Sequence, residues 1–427
     1  MVRTGQTRGG LGGVTRILAG SAAGQGLVIL AYPLLSRIYD PADFGLLIVF
    51  SAVVSMAGVL STASLEAAVP LPVDDRDAAA VAWAAVASVV LTAALTAVVG
   101  VLAGPWIADL LGVPALAGFW WLVALTVLVL GSYLVFSEWM VRERSYGALG
   151  RRNLLQGVGQ VCTQLGLGAA GVRPVGLLLG LGAGRLLGIG GLVSRAGLLH
   201  QPRPSLAAMK SIVGRYRRFP LVASWSKLLN TAGLEAPLLI ISAVYGDARA
   251  GLLGLTIRVI GGPAAIIGQA VYQVFNGEAS ARVRAPGTVL APFVRGSVLR
   301  LLAIGVVPAT VLVAFGPGLF AVVFGAQWRE AGQFAQVLAV AYLAQFAIAP
   351  VSQTLFLLER QGLQLVWDSS RLVLTAGGPV VCGLVGASIS TAVLVLAIGH
   401  VACYGLLYVL CIRAAQTSDR AGDKRDR

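Results

Sequence analysis

Charge is what this chain has least of. Only 12% of its 427 residues are Asp, Glu, Lys or Arg, where a soluble chain carries about 25%. Histidine occurs twice and cysteine four times. Cys162, Cys382, Cys403 and Cys411 all stand in apolar runs, with no CxxC spacing and no clustered histidine, which argues against disulfide or metal roles. No nucleophile elbow, P-loop or HExxH motif occurs, and the GLGAG at 180–184 follows no strand, so it is not a dinucleotide loop. Long hydrophilic segments are missing too: no gap between apolar runs exceeds about 20 residues. That leaves no room for an extramembrane catalytic domain. The chain reads as a non-enzyme with no cofactor and no metal site.

What is abundant is apolar sequence. The chain is 57% hydrophobic with a mean hydropathy of +0.84, more greasy surface than one soluble core can hide. A helix needs roughly 20 apolar residues to cross the hydrocarbon, and backbone groups in lipid must be bonded internally. Twelve runs qualify: 13–36, 44–65, 78–103, 119–140, 153–171, 175–198, 219–242, 250–275, 297–324, 331–358, 363–384 and 387–412. The expected fold is an all-α polytopic membrane protein of about twelve transmembrane helices in two pseudo-symmetric six-helix lobes. The lobes are placed at 1–205 and 206–413, with a charged tail at 414–427. Arg3, Arg8 and Arg16 precede Gly- and Ala-rich sequence without a small-residue cleavage site, so the first run reads as a retained span.

The net charge of +14 suggests nucleic acid only until its placement is considered. Lys and Arg gather in alternate short gaps: Arg142, Arg144, Arg151 and Arg152; then Arg195, Arg203, Lys210, Arg215, Arg217 and Arg218; then Arg282, Arg284 and Arg295; then the tail. The intervening gaps hold one basic residue or none. That alternation puts both termini in the cytoplasm and makes membrane lipids, not nucleic acid, the partner of the charge. Residues 66–77 fit worst, with Glu66, Asp74, Asp75 and Asp77 against Arg76, but acidic residues weigh little in the rule.

The halves echo each other. At an offset of 206, Tyr39 falls on Tyr245, Gly45 on Gly251, and Leu46–Leu47 on Leu252–Leu253. Gly104–Pro105 falls on Gly316–Pro317, Glu143–Arg144 on Glu359–Arg360, and Arg152 on Arg371, with the offset drifting to 212, 216 and 219. Six spans per half is an even number, so both halves enter from one side and relate by an axis along the membrane normal.

Polar residues inside spans are costly and face protein or a wet cavity. The seventh span carries Ser224, Lys227, Thr231 and Glu235 on one face, within an arc of about 80°. The eighth carries Arg258, Gln269 and Gln273, with a loosening Gly261-Gly262-Pro263. The eleventh carries Gln364, Asp368, Arg371 and Thr375; the fifth carries Asn153, Gln156, Gln160 and Gln164. Lys227 and Arg258 each lie roughly 12 Å deep in a ~30 Å core. Stripes on corresponding helices suggest one hydrophilic lumen, with Lys227, Arg258, Arg371 and Arg16 as its cations, Glu235 and Asp368 as ion-coupling acids, and Gln156, Gln160, Asn230, Gln269 and Gln364 as polar lining.

Structural alternatives stand beside each assignment. Asp368 and Arg371, three apart, can simply pair. Structural hydrogen bonds can satisfy Lys227 and Glu235, and Arg16 can be an anchor at its helix end. The ladder Gly176, Gly180, Gly184 and Gly188 reads as close helix packing, with Arg185 at its edge. His400 reads as structural, and Phe119-Trp120-Trp121 as an interfacial belt.

These residues resemble a family. YPLLSRIYDPADFGLLIVF at 32–50 and LEAAVPLPVDDRDAAAV at 65–81 look like the first three spans of polysaccharide-biosynthesis (Wzx-like) flippases. Those belong to the multidrug/oligosaccharidyl-lipid/polysaccharide exporter superfamily. FPLVASWSKLLN at 219–230, GLLGLTIRVIGGPAAIIGQAVYQVF at 251–275 and FGAQWREAGQFAQVLA at 324–339 agree. The resemblance implies movement of an undecaprenyl-pyrophosphate-linked oligosaccharide across the bacterial inner membrane by alternating access, for O-antigen, capsule or exopolysaccharide synthesis, with glycan polymerase machinery as a possible partner. It places Arg258 at the family's arginine before the Gly-x-Pro of the eighth span, and matches Glu66 and Asn230 to recurring positions. The alternatives are a cation-coupled multidrug exporter, which favours an acidic lumen, a lipid II flippase, which usually has two further spans, and a non-transporting scaffold.

Overall fold

The hydrophobic runs become helices because nothing else satisfies a backbone surrounded by lipid. In the computed structural model, which describes residues 6–193, 197–284 and 289–423 with side chains from 19 to 190, 197 to 284 and 289 to 420, every long regular element is a helix. They are α1 (Gln6–Ile38), α2 (Pro41–Ser61), α3 (Asp75–Leu110), α4 (Trp120–Arg142), α5 (Tyr146–Ala169), α6 (Val175–Val193), α7 (Leu206–Arg215), α8 (Ser224–Tyr245), α9 (Asp247–Arg284), α10 (Ala291–Phe324), α11 (Arg329–Ile348), α12 (Gln353–Leu357), α13 (Gln361–Leu384) and α14 (Ile389–Asp423). Apart from short α7 and α12, each falls on one expected span, but the span expected at 331–358 breaks after α11 into a 3-10 turn (Ala349–Ser352) and α12, and those expected at 44–65 and 219–242 are α-helical only to Ser61 and from Ser224. Helices α9, α10 and α14 run past their spans, so much of the gap 276–295 and of the tail is helical.

Among the described residues, nine stretches are long and apolar enough to cross a membrane. Helix α6 contributes a further apolar stretch, Val175–Gly190. Helices α5 and α13 miss because they carry the glutamines and charges of the polar stripes. Corresponding helices of the two halves thus share the same departure from greasiness.

The chain divides into two compact units. The first comprises Met1–Glu235 with Gly246–Gly251, and the second comprises Ala236–Tyr245 with Leu252–Arg427. The packing boundary lies beyond residue 205 because α7 packs on α3, and the π-helical turn Phe219–Ala223 packs on the 3-10 turn Leu65–Ala68.

In the first unit α5 is the central packing element, against α6 on one side and α1 on the other. Glycine makes this possible. A Cβ at Gly180 or Gly184 of α6 would strike Gln164 or the backbone of Gln156, and one at Gly24 of α1 would strike the backbone of Asn153. Close backbone approach gives dispersion contact where lipid offers no hydrophobic drive.

The Asp40-Pro41 turn opens α2 with a reciprocal capping box: Asp43 N–H donates to Asp40 Oδ1 (2.9 Å) and Asp40 N–H to Asp43 Oδ2 (3.2 Å). Just beyond it, a Cβ on Gly45 would hit the carbonyl of Asp247, while one on Gly251 would hit that of Pro41. Position 41 plus 206 is 247, and 45 plus 206 is 251. Two copies of one segment therefore meet face to face, each glycine opening room for the other's backbone.

The repeat reappears inside each unit. Tyr39 closes the α1–α2 corner by donating to the carbonyl of Gln164 (2.8 Å). Tyr245 closes the α8–α9 corner by donating to the carbonyl of Ala387 (3.0 Å), just past α13. Helix α4 ends with Ser145 N–H on Met140 O and Arg144 at φ 55°; α12 ends with Arg360 N–H on Leu355 O and Glu359 at φ 56°. This is one helix-ending motif used twice. It sets the local offset at 215, so the Glu-Arg letter match at 216 is one residue out of register.

The acidic gap 66–77 also finds its place. Arg142 pairs with Asp75 (2.8 Å) and donates to the carbonyls of Pro72 (2.6 Å) and Val73 (3.2 Å). That gap therefore sits at the same end of the first unit as the basic gap after α4. The aromatic triplet is only partly a belt. Trp121 is exposed, but Trp120 is buried against Gly100 and Gly104 of α3.

Candidate functional site

The first unit carries a continuous set of polar side chains within its spans. It begins where α2 ends. Ala63 and Ser64 take left-handed backbone in succession (φ 51° and 53°), a conformation that costs non-glycine residues about 1–3 kcal/mol each. The strained corner delivers the turn Leu65–Ala68 and with it Glu66, which is 8% exposed. Glu66 Oε1 meets Lys227 Nζ of α8 at 2.6 Å, and Glu66 Oε2 accepts from Thr62 Oγ1 at 2.5 Å. Ser224, one turn before Lys227, is buried and donates to Ser64 Oγ (3.2 Å). The π-helical turn Phe219–Ala223 precedes α8 and rotates its start; such turns are frequent at functional sites.

The acid that meets Lys227 is therefore Glu66 and not Glu235. Glu66 lies in the acidic gap between spans, yet it is buried. Next to this pair stands Glu138 of α4, which interacts electrostatically with Glu66, Lys227 and Arg152. Arg152 lies in α5 and not in a loop. Its guanidinium sits 4.4 Å from the centre of the Tyr133 ring, binds Ser137 Oγ, and reaches Asn153 Oδ1 (2.6 Å). Tyr133 donates to Gln156 Oε1 (2.6 Å), and Asn153 donates to Ser21 Oγ of α1 (2.6 Å). Arg185 of α6 donates to its own helix at Leu181 O (3.1 Å) and interacts with Tyr133. The ladder reading of α6 fits this packing, but Arg185 faces the polar set and is not merely an edge.

The fifth-span stripe is divided. Asn153 and Gln156 join the network. Gln160 is half-buried against Gly184, and Gln164 is fully buried, donating to the carbonyl of Leu177 (3.0 Å). Gln164 holds α6 and does not line a lumen. Of the remaining residues of α8, Asn230 is exposed and Glu235 half-buried. The side chain of Arg16 lies outside the described residues.

The second unit carries its own set on α9, α11, α13 and α14. Arg371 Nη2 lies 3.6 Å from Asp368 Oδ1, three residues back on the same helix, and its guanidinium lies 4.9 Å from the Trp367 ring centre. Asp368 Oδ2 accepts from Gln364 Nε2 (3.3 Å), and Trp367 donates to Cys403 O (3.0 Å). His400 is 2.9 Å from Gln345 Oε1 and lies between Tyr342 and Tyr404 (ring centres 5.7 and 5.1 Å). Arg258 is half-buried on α9 just before Gly261, and Gln269 is exposed three turns further along.

Each unit thus carries cations in its helices with acids beside some of them: Lys227 and Arg152 with Glu66 and Glu138 in the first, and Arg371 with Asp368 in the second, while Arg185 and Arg258 stand on α6 and α9. Glu138, Tyr133 and Arg152 were missed by sequence reasoning. Glu138 is a lone acid in an apolar run, and that isolation is the signal that would have found it.

Comparison with known proteins agrees with this architecture. No curated protein matches the chain. A lipid II flippase, MurJ, in an inward closed conformation superimposes with a TM-score of 0.76 at 9% identity, covering 94% of this chain and 90% of that one. An inward-facing multidrug resistance MATE family transporter of the MOP superfamily gives 0.56 at 14% identity over 96% of both chains. A MOP superfamily transporter from Pyrococcus furiosus, whose binding pocket is described as reversed in polarity, gives 0.53 at 15% identity, over 94% and 95%. These likenesses show a shared fold. The family model described as polysaccharide biosynthesis protein matches residues 34–333, and the chain belongs to that family.

Proposed function

We propose that this protein is a flippase that moves an undecaprenyl-pyrophosphate-linked oligosaccharide between leaflets by alternating access. The observation that carries the reading is the Lys227–Glu66 pair, a 2.6 Å contact between a lysine within the span of α8 and a buried acid in the turn after α2, 161 residues apart. A pyrophosphate cannot cross hydrocarbon unpaired. A transporter for it needs cations, and an empty transporter needs something to neutralise them. Glu66 does this for Lys227. Arriving pyrophosphate displaces Glu66 from Lys227, and Glu66 then takes up a proton or a small cation, with Glu138 beside it as a second acceptor.

Arg258, Arg371 and Arg16 extend the cationic path in this reading. Glu235 and Asp368 remain ion-coupling acids, and Gln156, Gln160, Asn230, Gln269 and Gln364 offer amides to glycan hydroxyls. The protein sits in the bacterial cytoplasmic membrane with both termini inside. Residues 1–205 and 206–413 are the duplicated lobes and 414–427 the tail; glycan polymerase machinery is the expected recipient.

The test is the sidedness of the lipid-linked glycan in a deletion strain complemented with wild type or Lys227→Ala at matched expression. Accumulation facing the cytoplasm in the deletion and in the variant supports flipping. Normal arrival at the outer leaflet without this protein, in a strain lacking a second flippase, refutes it. A second reading, flipping of lipid II, is favoured by the 0.76 superposition on that flippase. Rescue of cells depleted of their lipid II flippase would establish it.

A further inference from the structure

We infer that the second unit holds a subsite for one neutral sugar ring, in the cleft between α9 and α11. The cleft has a volume of about 200 Å³, the space of roughly seven waters, which suits one six-membered ring and not a disaccharide. Its polar groups are Gln269 and Tyr272 from α9 and Gln345 from α11; its apolar walls include Phe346 and Pro350. No charged residue lines it. In a chain of net charge +14 that omission is selective. A phosphate would find no cation there and a cationic drug no acid, whereas a ligand rich in hydroxyls finds two amides, a phenol and apolar faces for its C–H groups.

The site is also built. Gln345 Oε1 lies 2.9 Å from His400 Nε2, and His400 is itself held between a stacked Tyr342 and a tilted Tyr404. With its oxygen held, the Gln345 amide presents its NH2 as a fixed donor. Gly268 leaves the space open, since nothing lies within 4 Å of where its Cβ would be. Gln269 stands eleven residues beyond Arg258, a net rotation of about 20° and a rise of about 16 Å along α9. One helix face therefore carries a cation for the pyrophosphate and, three turns on, groups for a sugar.

This subsite deepens the flippase reading, and its test is separate from that of Lys227. Saturation-transfer NMR on the protein in lipid nanodiscs would use free glucose, galactose, rhamnose and N-acetylglucosamine, with mannitol as a linear control. At least one cyclic sugar should show transfer above mannitol. Gly268→Leu, which fills the cleft, should reduce that transfer at least about fivefold with unchanged thermal unfolding, and Gln345→Ala, which also removes the partner of His400, at least about twofold. No cyclic sugar exceeding mannitol would overturn the subsite, as would transfer that both variants leave intact. Failure of the Lys227 sidedness test with a positive sugar result would refute the flippase reading and leave the subsite standing.

Discussion

The two units pair the cations of their spans differently. In the first, Lys227 of α8 is paired with an acid from another element, delivered by a strained corner between α2 and α3. In the second, Arg371 is paired with Asp368 one turn away on its own helix. A pair within one helix travels with that helix and survives any rigid movement of it. A pair between elements ties them together and breaks when they separate or when a stronger anion arrives. The first arrangement can report cargo; the second holds a cation in place.

The difference can be broken by mutation. The largest effect is expected at the crossing on which both corners rest. Gly251→Val drives a side chain into the carbonyl of Pro41, and little folded protein should survive in detergent, as fluorescence-detected size exclusion would show. Backbone cannot give way as a flexible side chain can.

Next comes Lys227→Ala, which leaves Glu66 buried beside Glu138 without its cation. Initial flipping rate should fall at least about tenfold, because an uncompensated buried charge is costly to carry through the cycle. Adding Glu66→Gln should restore thermal stability without restoring flipping. The two stability changes should then be non-additive by about 0.5–3 kcal/mol in a double-mutant cycle. Additive losses would show that the pair is not coupled.

Asp368→Asn should lower thermal stability by only about a few tenths of a kcal/mol, the worth of a pair within one helix, far less than Lys227→Ala does. A loss equal to that of Lys227→Ala would erase the distinction between the units. The smallest effects sharpen the duplication. Tyr39→Phe and Tyr245→Phe each remove one corner hydrogen bond, and each should lower unfolding stability by about 1 kcal/mol. A large effect from one and none from the other would show that the matched tyrosines do different work.

The spans were legible in the sequence because hydropathy is a local property. Each of the twelve long helices falls on an apolar run, including α5 and α13, whose polar stripes were as visible as their greasiness. The glycine ladder of α6 and the Asp368–Arg371 pair were legible for the same reason: their spacing is set by one helix. What could not be read was what one element meets on another. Glu66 looked like part of an acidic loop because its burial depends on a left-handed corner that no letter at 63 or 64 announces. Arg152 looked like a loop cation because α5 begins six residues before it, and its partner Tyr133 lies on a different helix. The duplication was legible in order but not in register. The helix-ending geometry at Arg144 and Glu359 fixes an offset that matching the letters Glu-Arg missed by one.

The central claim is that Lys227 carries pyrophosphate-linked cargo and that Glu66 replaces the cargo when it leaves. Its most direct test is reconstitution of the purified protein into liposomes with the lipid-linked glycan, followed by exposure of the glycan to a membrane-impermeant glycosidase. Wild type should make the inner-leaflet glycan accessible, Lys227→Ala should not, and Lys227→Arg should retain most of the activity. Equal accessibility with wild type, Lys227→Ala and empty liposomes would contradict the account.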